Sequence, residues 1–91
     1  MDKYKVAIVD DDEVALENLS FELGKDARFF LKGTARNGKQ GKKLIAKVQP
    51  DLLFLDVELP DMTGMELLQE IRDSVSWNMR IVFYTCLLYT S

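Results

Sequence analysis

Short β-rich runs alternate along this chain with segments whose apolar residues recur at helical spacing. The four runs cover residues 5–9, 28–35, 52–55 and 80–85. The segments between them repeat their apolar residues every three or four positions, which predicts amphipathic helices. This alternation predicts a parallel sheet with right-handed crossovers and helices on both faces. We therefore expect an α/β, doubly wound parallel sheet.

The predicted helices have recognisable ends. The first begins near Glu13 behind a run of acids that includes Asp12, a suitable cap, and Gly24 is a suitable stop. The second follows Asn37-Gly38 and ends before Pro50, and Thr63 is a plausible cap for the third. The predicted apolar faces are Ala15, Leu16, Leu19 and Leu23; Gly41, Leu44, Ile45 and Val48; and Leu67, Leu68, Ile71 and Val75.

The third run, residues 52–55, is wholly apolar and is followed at once by the carboxylate of Asp56. Prolines flank the stretch on both sides, so it reads as a strand buried on both faces. A carboxylate at the mouth of such a strand loses part of its hydration, which costs free energy. Asp56 is therefore a candidate functional residue.

Polar residues follow the other predicted strands as well. Asp10, Asp11 and Asp12 come after the first strand, and Thr85 ends the fourth. In a flavodoxin-like sheet of order 2-1-3-4-5 the first and third strands are neighbours at the switch point, where ligands bind. Their acids would converge, and clustered carboxylates need a counter-charge. Mg²⁺ is the natural one, because it prefers oxygen ligands.

Composition excludes several other classes of function. The 91 residues suffice for one domain, and the net charge of -3 offers no basic patch for direct contact with nucleic acid or for an anionic membrane surface. One cysteine and no histidine exclude a disulfide framework and the usual zinc sites. The sequence shows neither a signal peptide nor a membrane span, so we expect a cytoplasmic location.

Three motifs in order resemble the receiver (REC) domain of two-component response regulators. They read "VAIVDDDEVALENL", "PDLLFLDVELPDMTGMELLQEIR" and "RIVFYT", and the resemblance runs over residues 5–85. The stretches "DVELPDMTGMELL" and "FFLKGTARNG" look most like receivers of the LytTR class of transcription regulators. The resemblance implies a partner sensor histidine kinase, an output domain that binds DNA, and a receiver that can form a homodimer.

The resemblance also implies roles for particular residues. Asp56 would be the phosphoacceptor. The protein would be a signalling switch and not an enzyme that acts on an independent substrate. Asp10 and Asp11 would hold Mg²⁺ together with Asp56, Asp11 directly and Asp10 through water. Glu58 would lend the metal its backbone carbonyl, and the Thr85 hydroxyl would bond a phosphoryl oxygen and move on activation.

The family pattern departs after Thr85. A receiver would continue with another helix, a fifth strand and a last helix, and would supply a phosphoryl-binding lysine and a switch aromatic; we identify neither residue in this chain, and Tyr89 is not that aromatic. Residues 86–91, "CLLYTS", can be encoded by TGT CTC TTA TAC ACA TCT, which looks like a transposon mosaic-end sequencing adapter. We expect residues 1–85 to be a partial receiver and residues 86–91 a non-native tail.

Two alternatives stay open at this point. The stretch "VDDDEV" also fits a haloacid-dehalogenase-like phosphotransferase, with Asp10 as nucleophile, Asp12 as acid–base and Val14 in the last motif position. Such enzymes usually insert a flap after the first strand, whereas helical periodicity starts here at once, and Asp56 would have no role. The other alternative is a degenerate receiver that binds partners without taking phosphate.

Overall fold

A computed structural model describes residues 3–84. Along the chain lie β1 (Tyr4–Val9), α1 (Glu13–Gly24), β2 (Phe29–Ala35), α2 (Gly38–Val48), β3 (Leu52–Asp56), α3 (Gly64–Ile71), a short 3-10 turn (Arg72–Ser74) and β4 (Arg80–Tyr84). The strands form one sheet of order β2-β1-β3-β4 in which every pairing is parallel. The predicted doubly wound, flavodoxin-like fold is confirmed. Thr85 and the tail at residues 86–91 lie outside the described residues.

The two central strands are buried because helices cover both faces of the sheet. One face of the sheet packs against α2 and α3, and the other packs against α1. The first cluster contains Ala7, Val9, Ala35, Ile45, Leu53, Leu55, Leu67 and Ile71. The second contains Val6, Ile8, Leu16 and Leu23. Alternate side chains of β1 thus enter opposite clusters, as the two-residue period of a strand requires.

The first and third helices begin as predicted. The Asp12 side chain accepts a hydrogen bond from the Val14 backbone N–H at 3.0 Å and caps α1. The Thr63 hydroxyl accepts from the Glu66 N–H at 3.0 Å, and the Glu66 carboxylate accepts from the Thr63 N–H at 2.9 Å. This reciprocal capping box fixes where α3 starts, directly after the loop that follows β3.

The third helix is shorter than its apolar pattern predicts. The α-helical part ends at Ile71 and a 3-10 turn follows, so the prediction that Val75 lies on the helix is wrong. Asp73 and Ser74 favour turns over helix interiors, which explains the early end. Val75 nevertheless packs against the cluster on the α2 and α3 face.

The second helix ends as predicted, just before Pro50. Gln49 takes a left-handed conformation with φ of 52°, which stops the helix, and the buried Pro50 cannot continue it. Within residues 3–84, the helices are all too short or too polar to span a membrane.

Candidate acidic site

The carboxyl ends of β1 and β3 bring three acidic residues together. Val9 pairs with Leu55 across the two neighbouring strands, so Asp10 and Asp56 come out side by side at the same edge of the sheet. Asp10, Asp11 and Asp56 each offer a carboxylate oxygen within 4.8 Å of the others. Asp10 is 0% exposed and Asp56 8% exposed, whereas Asp11 faces solvent. The convergence predicted from the topology is thus present.

Both carboxylate oxygens of Asp10 are held in place. The Asp12 backbone N–H donates to Oδ1 at 2.9 Å, and the Tyr84 hydroxyl donates to Oδ2 at 2.6 Å. The Asp10 backbone N–H donates in turn to the carbonyl of Ala35 at 2.9 Å. Because hydrogen bonds to a carboxylate stabilise its charged form, these contacts offset part of the cost of burying Asp10.

The electrostatics of the site centre on Asp56. The pKa of this carboxyl is raised to about 6, first by burial, then by a hydrogen bond with Asp10 and by the nearby charges of Asp10 and Asp11. The Glu58 backbone N–H donates to Asp56 Oδ1 at 3.2 Å and acts in the opposite direction. Because three carboxylates lie close together, a bound cation would stabilise the ionised form of Asp56.

The loop that follows Asp56 is closed by backbone hydrogen bonds. The Val57 N–H donates to the Tyr84 carbonyl at 3.1 Å, and the Gly64 N–H donates to the Val57 carbonyl at 2.8 Å. A Cβ atom at Gly64 would collide with the backbone carbonyl oxygen of Asp56, so only glycine allows α3 to start this close to β3. Glu58 is an exposed member of this loop, two positions past Asp56.

Asp61 fastens the same loop to the second helix. Its carboxylate accepts hydrogen bonds from the backbone N–H groups of Gly38 at 2.7 Å and Lys39 at 3.0 Å, the first residues of α2. These bonds, with that to Gly38 the largest influence, lower the pKa of Asp61. The loop after Asp56 is therefore anchored to β4 at one end and to α2 at the other.

The donor set fits a hard divalent cation. Three carboxylates offer oxygens within 4.8 Å of one another, and two of these side chains are buried. Mg²⁺ binds carboxylate and carbonyl oxygens and keeps several waters, for which the exposed side of Asp11 leaves access. The carboxylate of Asp12 is not among these three and caps α1. The roles of Glu58 and Thr85 stay predictions, and Thr85 lies beyond the described residues.

Sequence reasoning misses Tyr84, because it points to residues at or directly after the predicted strand ends and Tyr84 precedes the predicted end of the fourth strand at Thr85. Tyr84 precedes Thr85 and is the residue of β4 that pairs with Asp56. The register between β3 and β4 was the missing information, since successive side chains on a strand point to opposite faces. The signal that could have identified it is a tyrosine one position before the predicted end of a strand, Thr85, at the edge of the sheet where the acids converge.

The sequence of this chain matches a known family and is similar to known proteins. The response regulator receiver domain family matches residues 6–88. A protein-glutamate methylesterase/protein-glutamine glutaminase of Geobacillus kaustophilus is 42% identical over 71 residues, which are 78% of this chain and 20% of that protein. The transcriptional regulatory protein BtsR of Escherichia coli is 38% identical over 63 residues, which are 69% of this chain and 26% of that protein.

Solved structures share the fold. The response regulator domain of Thermotoga maritima CheB superposes with a TM-score of 0.83 at 21% identity, covering 98% of this chain and 65% of that one. The two sequence relatives, the methylesterase and BtsR, are much longer than this chain, which spans about a fifth to a quarter of their length.

Proposed function

This chain belongs to the response regulator receiver domain family, and from that premise we propose that Asp56 accepts a phosphoryl group from a sensor histidine kinase. The observation that carries the proposal is the position of Asp56. It is 8% exposed, lies at the carboxyl end of a central strand, and has Asp10 and Asp11 oxygens within 4.8 Å. No other acid in residues 3–84 belongs to such a cluster with these two.

The proposed transfer is a displacement at phosphorus. An ionised oxygen of Asp56 forms a new P–O bond as the P–N bond to the kinase imidazole breaks, and the imidazole leaves with the bonding electron pair. The Asp56 nucleophile must be ionised, and its pKa of about 6 leaves most of it so above neutral pH. The Glu58 N–H holds one Asp56 oxygen at 3.2 Å and orients the carboxylate.

The proposed cofactor is Mg²⁺, held by Asp10, Asp11 and Asp56, with the backbone carbonyl of Glu58 as a further ligand. When bound, the cation supplies positive charge that offsets the repulsion between a carboxylate and an incoming phosphoryl group. The rest of the site holds these carboxylates in place: the Asp12 N–H and the Tyr84 hydroxyl bind the two oxygens of Asp10, and the Glu58 N–H binds one oxygen of Asp56.

The consequence of phosphorylation is proposed to be a switch. The phosphoryl group adds a charge of about -1.5 to -2 beside Asp10 and Asp11, which is enough to bias a loop between two states. The Thr85 hydroxyl, directly after β4, is the proposed partner of the phosphoryl group. The loop that follows Asp56 is bonded to the Tyr84 carbonyl, so the two segments are mechanically linked.

The proposed output is a DNA-binding transcription domain, and the finer proposal is the LytTR class. The likeness to the transcriptional regulatory protein BtsR supports a transcriptional output, and the stretch "DVELPDMTGMELL" motivates the class. A second candidate output is a methylesterase domain, because the Geobacillus kaustophilus methylesterase is 42% identical to this chain over 71 residues. The further sequence of the gene distinguishes the two.

Labelling with radioactive acetyl phosphate and Mg²⁺ tests the phosphoacceptor. In a version restored to a full-length receiver, we expect label on the unsubstituted protein, none on Asp56→Asn, and normal labelling of Asp73→Asn, a control at an exposed acid on the 3-10 turn. The 91-residue chain should label weakly, because we identify no phosphoryl-binding lysine in it. Labelling that survives Asp56→Asn but is lost in Asp10→Asn would favour the phosphotransferase alternative. Absence of label from the folded, Mg²⁺-binding full-length form would favour the degenerate receiver.

A further inference from the structure

Tyr84, the last residue of β4, reaches the acidic cluster with its side chain. It pairs in register with Asp56, and its hydroxyl donates a hydrogen bond to Asp10 Oδ2 at 2.6 Å. Its ring meets Phe54 edge-on, with centroids 6.4 Å apart and planes at 74°. The ring is therefore held by packing and the hydroxyl by the carboxylate.

The hydrogen bond to Asp10 has the features of a strong contact. An O–H···O⁻ distance of about 2.5 to 2.7 Å is typical of a charge-assisted hydrogen bond. Asp10 is 0% exposed, so water has little access to compete for its oxygen. Packing alone would be served by phenylalanine, since the ring contact with Phe54 does not need the hydroxyl.

The two bonds to Asp10 come from different parts of the chain. The Asp12 N–H belongs to the turn that leads into α1, and the Tyr84 hydroxyl belongs to the end of β4. A carboxylate bonded at one oxygen can still rotate about its last side-chain torsion. A second donor at the other oxygen, from a separate strand, removes that freedom.

We propose that Tyr84 is a positioning residue of the cation site, acting through Asp10. Its hydroxyl fixes the Asp10 carboxylate so that one oxygen stays within 4.8 Å of ligand oxygens of Asp11 and Asp56. Partners that orient a metal ligand in this way commonly change metal affinity by about 10- to 100-fold when removed. This inference rests on the proposed function, because it takes Asp10 to serve a cation.

Fixing Asp10 also bears on which cation is preferred. Mg²⁺ is small and demands near-octahedral ligands, whereas Ca²⁺ accepts variable geometry and more ligands. A rigid carboxylate therefore favours Mg²⁺, and a carboxylate freed to rotate loses more affinity for Mg²⁺ than for Ca²⁺. The ratio of the two affinities is a property that a purely structural role of Tyr84 would leave unchanged.

Tyr84→Phe tests the proposal, with Tyr4→Phe at the opposite end of the sheet as the matched control. Calorimetric titration of the chain with Mg²⁺ and separately with Ca²⁺ gives both affinities. We expect Tyr84→Phe to weaken Mg²⁺ binding about tenfold and Ca²⁺ binding less, and Tyr4→Phe to change neither. Unchanged affinities and an unchanged ratio in a folded Tyr84→Phe chain would overturn the inference while the proposed function stands. A wild-type chain that binds no Mg²⁺ would overturn both.

A second measurement needs no change at Tyr84. The chain has three tyrosines, and NMR with carbon-13 at the phenolic carbon gives one signal for each. Tyr4→Phe and Tyr89→Phe assign the Tyr84 signal by elimination. We expect the Tyr84 signal to shift during a Mg²⁺ titration with the same Kd as the calorimetry, and the Tyr4 signal to stay in place. A Tyr84 signal that stays in place at Mg²⁺ saturation would contradict the proposal.

Discussion

The two ends of β3 carry the same side chain in contrasting surroundings. At the amino end the Asp51 carboxylate accepts a hydrogen bond from the Lys5 backbone N–H at 2.8 Å. The Asp51 backbone N–H donates to the Lys5 carbonyl at 2.8 Å, and the Asp51 carbonyl accepts from the Arg80 N–H at 2.9 Å, so Asp51 links β1 and β4. At the carboxyl end Asp56 meets two further carboxylates. One aspartate closes a backbone network, and the other lies in an acidic cluster.

The two aspartates affect the stability of the fold in opposite directions. Asp51 satisfies a backbone donor, so its contribution to folding is ordinary and favourable. Asp56 is partly desolvated among like charges, so in the absence of a cation it opposes folding at neutral pH. A residue that costs stability where a smaller or neutral one would fit is a mark of a functional site.

The largest expected effect on stability tests the close approach at the carboxyl end. Gly64→Ala places a Cβ against the Asp56 carbonyl and near Leu55 and Phe83, so either β3 or α3 must move. We expect the free energy of unfolding to fall by about 2 to 4 kcal/mol in urea denaturation. Gly24→Ala is the matched control, because nothing lies within 4 Å of a Cβ there. Equal effects of the two substitutions would contradict the described packing.

The next prediction sets the two aspartates against each other. Asp51→Ala leaves the Lys5 N–H without its partner, and we expect a loss of about 1 to 2 kcal/mol. Asp56→Asn removes a like charge from the cluster, and we expect the metal-free chain to become more stable at pH 7.5. Urea denaturation with a chelator present measures both. The comparison fails if the two substitutions shift stability in the same direction.

The dependence of stability on pH should show the smallest effect. Because the pKa of Asp56 rises from 3.8 to about 6 on folding, its protonation favours the folded state below 3.8, and this contribution is lost as the pH rises through about 6. We expect the metal-free chain to lose roughly 1 kcal/mol between pH 5 and pH 7.5, and Asp56→Asn to remove this slope. An identical slope in both chains would assign it to another group.

Affinity for Mg²⁺ should follow the opposite course with pH. Cation binding requires the ionised carboxylate, so Mg²⁺ affinity should rise as the pH passes through about 6 and level off above it. Calorimetric titration at several pH values measures the profile. An affinity that is the same at pH 5 and pH 8 would show that Asp56 is not a ligand.

Local patterns in the sequence predicted much of the fold and the acidic cluster. The strand order and the placement of Asp10 and Asp56 followed from alternation and from the rule that parallel strands end together. Asp12 and Thr63 were identified as helix caps because capping depends on neighbours in sequence. The early end of α3 was missed, since an apolar residue at helical spacing, Val75, packs on the core without being helical.

The contacts that sequence reasoning missed are long-range. The Tyr84 hydroxyl bonds a residue 74 positions away, and Asp61 caps α2 from a loop 23 positions downstream of Gly38. Such contacts depend on strand register and on how two elements pack, and no local pattern records either. The need for glycine at position 64 is of the same kind, because it arises only once α3 lies against the end of β3.

Chemical mapping in the form restored to full length locates the phosphorylated residue itself. After incubation with acetyl phosphate and Mg²⁺, borohydride reduction converts an aspartyl phosphate to homoserine, and peptide mass spectrometry locates it. We expect homoserine at position 56, dependent on Mg²⁺, and unmodified Asp51 at the other end of β3. Homoserine at position 10 instead would show that Asp56 is not the phosphoacceptor.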